Sequence, residues 1–428
     1  MKSFPTMKTG MFLLLFSFSL FPSSVFARYQ IDLTPAISVA DQYDDNINLE
    51  RDNETPNYDY ITTITPSFNL HAVSERDNIT IQYSPSLVRY KEEDHNNTVR
   101  HSGTLSFNTD LSGNLTFALT DTYLRSEQPI EETEGIIGVR RTRNTYQRNT
   151  GRASMRYAFG PENMLNFGYD HSILENEDAA LDDGMIFDPF ADLTYWLNNK
   201  NGIELSTRYT MADFTRDDNT LPMDDYSGIA AGLRYLYRFT PQTTGSIGYD
   251  LTRRDFNGPS ENYYVHEGSI GLTHAFSSRT SLAVSAGYFG LKNEWSENNG
   301  GYTYDLSLNK TFDRGSIVIT GSGGWNEASL DVERRGLTRY QGLSSRFEYQ
   351  VAERLTNYAG ISYRQDKDAI ERRSKTVGVD YGWRWSFWRY LSLSLDYSCS
   401  TRDDDLDTED YLVNRVMMNL TASRLFRW

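Results

Sequence analysis

At 428 residues and a formal net charge of −16, the chain lacks the Lys and Arg surplus that phosphate neutralisation requires, so it is not a nucleic-acid binder. No long apolar run follows the first 27 residues, which excludes a bundle of membrane-spanning helices. Tyr (29) and Phe (22) are abundant and Gly, Ser, Thr, Asn and Asp fill the spaces between them, a mixture that favours strands and turns.

The chain opens with Lys2 and Lys8, the apolar run "MFLLLFSFSLF", and small Ala27 closing "VFA". This order predicts a signal peptide over 1–27 and Arg28 as the first residue of an exported chain. The run is about half the length of a spanning helix. A first strand is expected over about 29–43. The segments "LTPAISV" (33–39), "ITPSFNL" (64–70) and "YSPSLVR" (83–89) then share a form, each with a proline (35, 66 and 85) on the face read as outward. Proline gives a sheet no donor and is confined to strand starts, edges or bulges. These three therefore mark either strand starts or a stretch of loosened pairing.

From there the period is two nearly throughout. In "VGVDYGWRWSF" Val377, Val379, Tyr381, Trp383 and Trp385 alternate with Gly378, Asp380, Gly382 and Arg384. That is the signature of a half-buried strand. The connections alternate as well. Short turns are expected at 74–77, 112–114, 160–163, 198–201, 240–243, 277–279, 313–315, 352–354 and 387–389. Longer polar loops are expected near 44–58, 126–144, 176–188, 215–225, 255–262, 293–301, 326–338, 365–374 and 402–410. One end of every hairpin is tight and the other loose, as in outer-membrane barrels. The count predicts an all-β, antiparallel, up-and-down transmembrane β-barrel of about 20 strands (18 to 20) over 28–428.

The last strand, 411–428, carries alternating apolar residues to the final Phe426 and Trp428. An open sheet edge is not tolerated in hydrocarbon, so this strand must cross the wall and pair with the first. Phe426 and Trp428 are expected in the periplasmic aromatic girdle and as a signal read by the barrel-insertion machinery. Outer-membrane lipid and lipopolysaccharide are the expected surroundings.

A ring of this size is on the order of 40 Å across, too wide for side chains to fill. Inward-folded loops such as 126–144 or 176–188 narrow it, or it is open. The inward face is expected to carry Arg152, Arg156, Asp170, Asp192, Glu204, Arg208, Arg234, Arg238, Asp250 and Arg384. Register parity pairs Arg152 with Asp170, Asp192 with Arg208, and Arg234 with Asp250. Such pairs either balance charge across the wall or form a ladder that binds sugar hydroxyls and steers acidic sugars. Asp403, Asp405, Asp407 and Glu409 have a ligand-like spacing, but Thr408 and Asn414 stand where a calcium loop needs Gly and Glu, so no metal site is expected. Cys399 is alone, which excludes an internal disulfide. His-Ser neighbours at 101–102 and 171–172 point to opposite strand faces and cannot act as a catalytic pair, so neither an enzyme nor a cofactor is expected.

The Tyr43–Asn46 stretch (Tyr-Asp-Asp-Asn), followed by the proline-bearing strands, resembles a family of outer-membrane β-barrel porins associated with exopolysaccharide biosynthesis and export gene clusters. The likeness implies a bacterial outer-membrane channel that takes part in exporting an exopolysaccharide, with the polysaccharide and periplasmic export components as partners and no catalytic residues. A general diffusion porin for small polar solutes is the alternative, and an outer-membrane hydrolase a third.

Overall fold

The computed structural model describes residues 29–428 except 52–54, 131–139, 142, 217–223, 259, 295–297, 328–336, 368–371 and 406–408. The expected signal peptide and Asp407 lie outside the described residues. The strands are β1 Gln30–Asp44, β2 Asp59–Val73, β3 Asp77–Tyr90, β4 Thr98–Ser112, β5 Leu115–Ser126, β6 Tyr146–Ala158, β7 Met164–Asn176, β8 Asp183–Trp196, β9 Asn201–Thr215 and β10 Tyr226–Thr240. They continue as β11 Thr243–Phe256, β12 Tyr263–Ser277, β13 Thr280–Asn293, β14 Asn299–Phe312, β15 Gly315–Glu327, β16 Leu337–Ala352, β17 Leu355–Lys367, β18 Arg373–Trp388, β19 Leu391–Asp404 and β20 Tyr411–Ser423. The short β21, Phe426–Arg427, prolongs β20 after a two-residue interruption.

Each strand pairs antiparallel with the next, and β20 and β21 pair with β1. The result is a closed 20-strand barrel. Followed from partner to partner, the register returns to β1 displaced by about 24 residues. That shear corresponds to strands tilted about 40° in a wall about 40 Å across. The end of the chain is held firmly in the ring. Trp428 and Ile31 exchange backbone hydrogen bonds of 2.9 and 3.1 Å, and Arg427 grips Asp32 with two bonds of 2.8 Å.

The two faces of the wall differ as the alternation requires. Ile247, Ile270, Ile361 and Leu233 point outward and are 53–63% exposed, a surface suited to lipid and not to water. The polar face is concave: Arg254 of β11 meets Glu327 of β15 at 2.9 Å, four strands away, a contact possible only across the inside of a curve. Aromatic rings gather outside at both ends. Phe159 stacks between Tyr157 and Tyr195 at 6.0 and 6.2 Å near the turns, alongside the Phe426–Trp428 pair. Tyr43 packs on Tyr60 at 5.2 Å, and Tyr288 on Tyr302 at 5.6 Å, near the loops.

Two connections differ from expectation. Lys91–Asn97, between β3 and β4, is a tenth loop, with a single 3-10 turn at Asp94–Asn96. Nearly half of the expected 176–188 loop, residues 183–188, is strand β8, which leaves 177–182 as connection.

The prolines lie within strands, not at their starts. Pro35 faces Phe68 and Pro66 faces Ile37 in an unbroken β1–β2 ladder. Between β2 and β3 the ladder runs to Ile64↔Leu87 and resumes at Phe68↔Tyr83 in the same register, so no residue is bulged out. The gap is the position where Pro66 would face Pro85. Alternate facing pairs in an antiparallel ladder exchange two N–H···O bonds; the bonds at Ser74–Asp77 and Tyr60–Lys91 put the 66–85 position among them, and two prolines can form neither.

The lipid-facing assignment has a direct consequence. Ile361→Arg, at mid-height on the outside, should destabilise the barrel in bilayers by about 2–4 kcal/mol. Ser362→Arg, one residue along and facing the lumen, should cost far less. Urea unfolding in lipid vesicles measures both.

Candidate functional site

The lumen is the candidate site, and its charges are densest on β6–β10. Arg152 and Asp170 face each other as parity requires, at 3.4 Å. Asp170 also faces Asp188 on β8, and this carboxylate pair is bridged by Arg208 at 3.0 and 3.6 Å. Phe190 is inward and buried because two guanidinium groups cover it, Arg152 at 4.2 Å and Arg208 at 5.5 Å from the ring centre. Both arginines keep a lumen face, with side chains 47% and 38% exposed. A polyol or an acidic sugar passing this wall would meet two oriented guanidinium forks already held by carboxylates.

Two of the three expected pairings are wrong by one pleat. Arg208 faces Phe190, while Asp192 faces Ser206 and receives a 3.5 Å bond from Asn166. Arg234 faces Gly248 on one side and Glu204 on the other, with the ion pair to Glu204 at 3.3 Å; Asp250 faces Gly232 and Glu267. Parity allows only even register sums, but the turn chooses among them. The β10–β11 hairpin slips at a bulge between Arg238 and Thr240. In the β8–β9 hairpin, Leu197 N–H bonds Asn201 O across the turn, and Trp196 faces Gly202. Arg238 reaches Glu162 in the β6–β7 turn with bonds of 3.1 and 3.0 Å and lies 3.9 Å from the Trp196 ring centre. Arg156 faces Asn166, and Arg384 faces Thr356 and Ser394. Both arginines are exposed toward the turn end.

Sequence reasoning missed Asp188, Phe190 and Glu162. The first two sit in "DPFADL", whose proline obscures the strand; counting by twos back from Asp192 would have placed both inward. Glu162 lies in a turn and carries no periodic signal.

Among the described residues, burial concentrates at the loop end. The Asp-Asp-Asn of Tyr43–Asn46 ties the β1–β2 connection across the closing seam. Asp44 pairs with Arg415 at 2.7 Å, Asp45 accepts from Asn414 N–H at 2.6 Å, and Asn46 bonds Leu412 O at 3.0 Å. Asn46 also folds the loop on itself, accepting from Glu50 N–H at 2.7 Å. The turn drives Ile47 onto Ile61, Val88 and Tyr90, and Leu49 onto Tyr411 and Val413. Leu49 is fully buried at φ 53°, a conformation a leucine keeps only when its surroundings impose it.

A second connection meets this loop. Arg143, from the expected 126–144 loop, donates to Asn48 Oδ1 at 2.8 Å, to the Tyr90 hydroxyl at 2.9 Å and to Ile47 O. Beneath it Arg100 holds Glu127 at 2.6 Å and Tyr90 donates to Glu127 at 3.1 Å. The described ends of the 126–144 connection thus reach the first loop through Arg143 and the wall through Arg100 and Glu127. Burial pushes the Glu127 carboxyl up, but the bonds from Arg100 and Tyr90 more than offset it and hold the group below the usual carboxylate range.

The two His-Ser neighbours form no catalytic pair. His101 bonds the Tyr83 hydroxyl at 2.8 Å and His171 bonds Asn149 at 2.7 Å; neither contacts a serine. Among the described residues no group of His, Cys, Asp and Glu has metal-site geometry.

No protein-family profile and no curated protein matches the sequence. Solved structures do match. The ferric enterobactin receptor PfeA of Pseudomonas aeruginosa, as a mutant, aligns over 92% of this chain and 80% of its own with a TM-score of 0.53 at 10% identity. The siderophore receptor PirA of the same organism covers 92% and 80% with a TM-score of 0.52 at 10% identity. The iron transporter FrpB of Neisseria meningitidis covers 91% and 82% with a TM-score of 0.52 at 7% identity. At such identities the likeness is one of fold. The architecture is that of the outer-membrane β-barrel transporters.

The ionised Glu127 stabilises the packed mouth. Its contribution is complete above the ordinary carboxylate pKa and is lost as the pH falls through the depressed one. Conductance in planar bilayers should therefore stay low at neutral pH and rise only in acid below the usual carboxylate range. Glu127→Gln should raise it at neutral pH.

Proposed function

We propose that this protein is an outer-membrane channel that takes part in exporting an exopolysaccharide. The observation that carries the reading is the lumen: wide, polar, open toward the turn end, and lined with hydroxyls and paired arginines. Hydroxyl-bearing polymers are bound by many weak, oriented hydrogen bonds, and guanidinium–carboxylate ladders supply them without trapping a small ion. The packed mouth supports a gated exporter over a general diffusion porin, whose task requires a standing aperture. The remaining roles belong to the same proposal: lipopolysaccharide around the wall, insertion machinery reading Phe426 and Trp428, and periplasmic components delivering the polymer to the turn end.

Two measurements test the reading. Liposomes carrying the protein should swell slowly in small sugars; swelling at a rate typical of an open pore would make it a diffusion porin. In single-channel recordings at neutral pH, Arg234→Ala with Arg238→Ala leaves Glu204 and Glu162 without those partners, so the reversal potential should shift toward cation preference. An unchanged potential and conductance would show that these arginines do not set ion preference.

A further inference from the structure

The gap between β2 and β3 is more than a local irregularity. Pro66 and Pro85 lie near the middle of their strands, so the two missing ladder bonds fall at bilayer depth, where unpaired backbone is least tolerated. Residues 65–67 have no ladder partners among 84–86. What joins the strands there is a side-chain bond, Thr65 Oγ1 to Ser86 Oγ at 2.8 Å. On the opposite edge of the same hairpin, β20 is interrupted at Arg424–Leu425, next to Pro35, and Arg424 N–H reaches Pro35 O at a long 3.2 Å. The β1–β2 hairpin therefore has an interrupted ladder on both flanks.

Pro189 gives a comparison within the same wall. It leaves Asp188 and Pro189 without ladder partners on β9, but by register it faces Tyr209, which has an N–H of its own, and its other neighbour β7 pairs without a break. Among the described residues only Pro66 and Pro85 are two prolines that face each other.

The slit is amphipathic across the wall. Thr65 and Ser86 line it on the lumen side, while Ile64, Phe68 and Leu87 flank it on the lipid side and are 38–48% exposed. A molecule lying across such a gap needs a hydroxyl-bonding group inside and a hydrocarbon group outside. At the loop end Ile47 and Leu49 pack on the wall and Arg143 bonds Asn48, Tyr90 and Ile47, whereas across the gap in the β2–β3 ladder the strands are joined by one hydroxyl pair.

We propose that the β2–β3 seam is a lateral port for a lipid-linked saccharide, its sugar in the lumen and its acyl chains in the bilayer. The proposal rests on the channel reading and adds a substrate class and an exit. Opening requires separation of Thr65 from Ser86 and a few ladder bonds either side; the rest of the ring stays paired.

The test uses the full chain with Cys399→Ser, reconstituted in bilayers that contain lipopolysaccharide as the probe. A photoreactive benzophenone side chain replaces Ser84, beside the seam, or Ser322, on the inner face of β15. Thr65→Cys with Ser86→Cys locks the seam on oxidation. Thr320→Cys with Ser344→Cys, whose hydroxyls stand 2.6 Å apart in an unbroken β15–β16 ladder, is the control lock. Light should yield a lipopolysaccharide adduct at position 84 and none at 322. The adduct at 84 should disappear when the seam is locked, return on reduction, and be unaffected by the control lock. No adduct at 84, equal adducts at both positions, or an adduct that survives the seam lock would overturn the port. Heat-modifiable gel migration confirms that each form is folded. Ion conductance of the same samples reports separately on the channel reading, because locking one seam leaves the lumen in place.

Discussion

A peptide N–H or C=O that faces hydrocarbon without a partner costs several kcal/mol, and the architecture answers to that cost. A sheet can satisfy it only by closing, so β1 must find β20, and the chain's last residue, Trp428, must exchange hydrogen bonds with Ile31. Closure in turn fixes which face is wet. Once Ile361 and Ile247 meet lipid, the alternate positions must meet water, and Arg152, Arg208 and Arg234 come to one surface without any local signal drawing them together. The same cost makes a proline pair inside the wall conspicuous. Pro66 and Pro85 forgo two ladder bonds where they are worth most, and the register continues unshifted on either side.

What was legible in the sequence was local. A period of two, a turn every second connection and an apolar last strand are properties of neighbouring residues, and they led to the closed ring and to the inward set. The Arg152–Asp170 pair faces as expected; Arg234 could not be assigned from its turn, because Thr240↔Thr243 has an odd sum and the bulge after Arg238 shifts the ladder by one residue to one of two equally near even registers. Parity restricts such an error to steps of two residues. The correct face was therefore known while the correct neighbour was not. The missed β3–β4 connection has the same origin: seven polar residues, Lys91–Asn97, are short enough to pass for strand ends.

The packed mouth was illegible for a different reason. Its contacts join positions far apart in the chain: Asn46 with Leu412, Arg143 with Ile47, Arg141 over the ring of Tyr411. No spacing rule relates such residues. The Tyr43–Asn46 stretch nevertheless has a physical role that its sequence could not reveal, since its two aspartates and its asparagine fasten the first loop to the last strand.

The mouth is built from charge as much as from apolar packing, and this bears on how it can open. Ile47 and Leu49 alone would make a plug whose grip varies smoothly with burial. Glu127 under Arg100 and Tyr90, and Arg143 over the Ile47 carbonyl, behave otherwise: a buried ionic group with its partner removed is penalised heavily, so partial opening is worse than either end state. Such a contact set favours two discrete arrangements, closed with all partners met or open with all of them hydrated. The side wall offers the contrast. At the β2–β3 seam the ladder is interrupted and the two hydroxyls can pair with incoming hydroxyls instead, so separation there breaks that pair and a few ladder bonds either side but uncovers no buried charge.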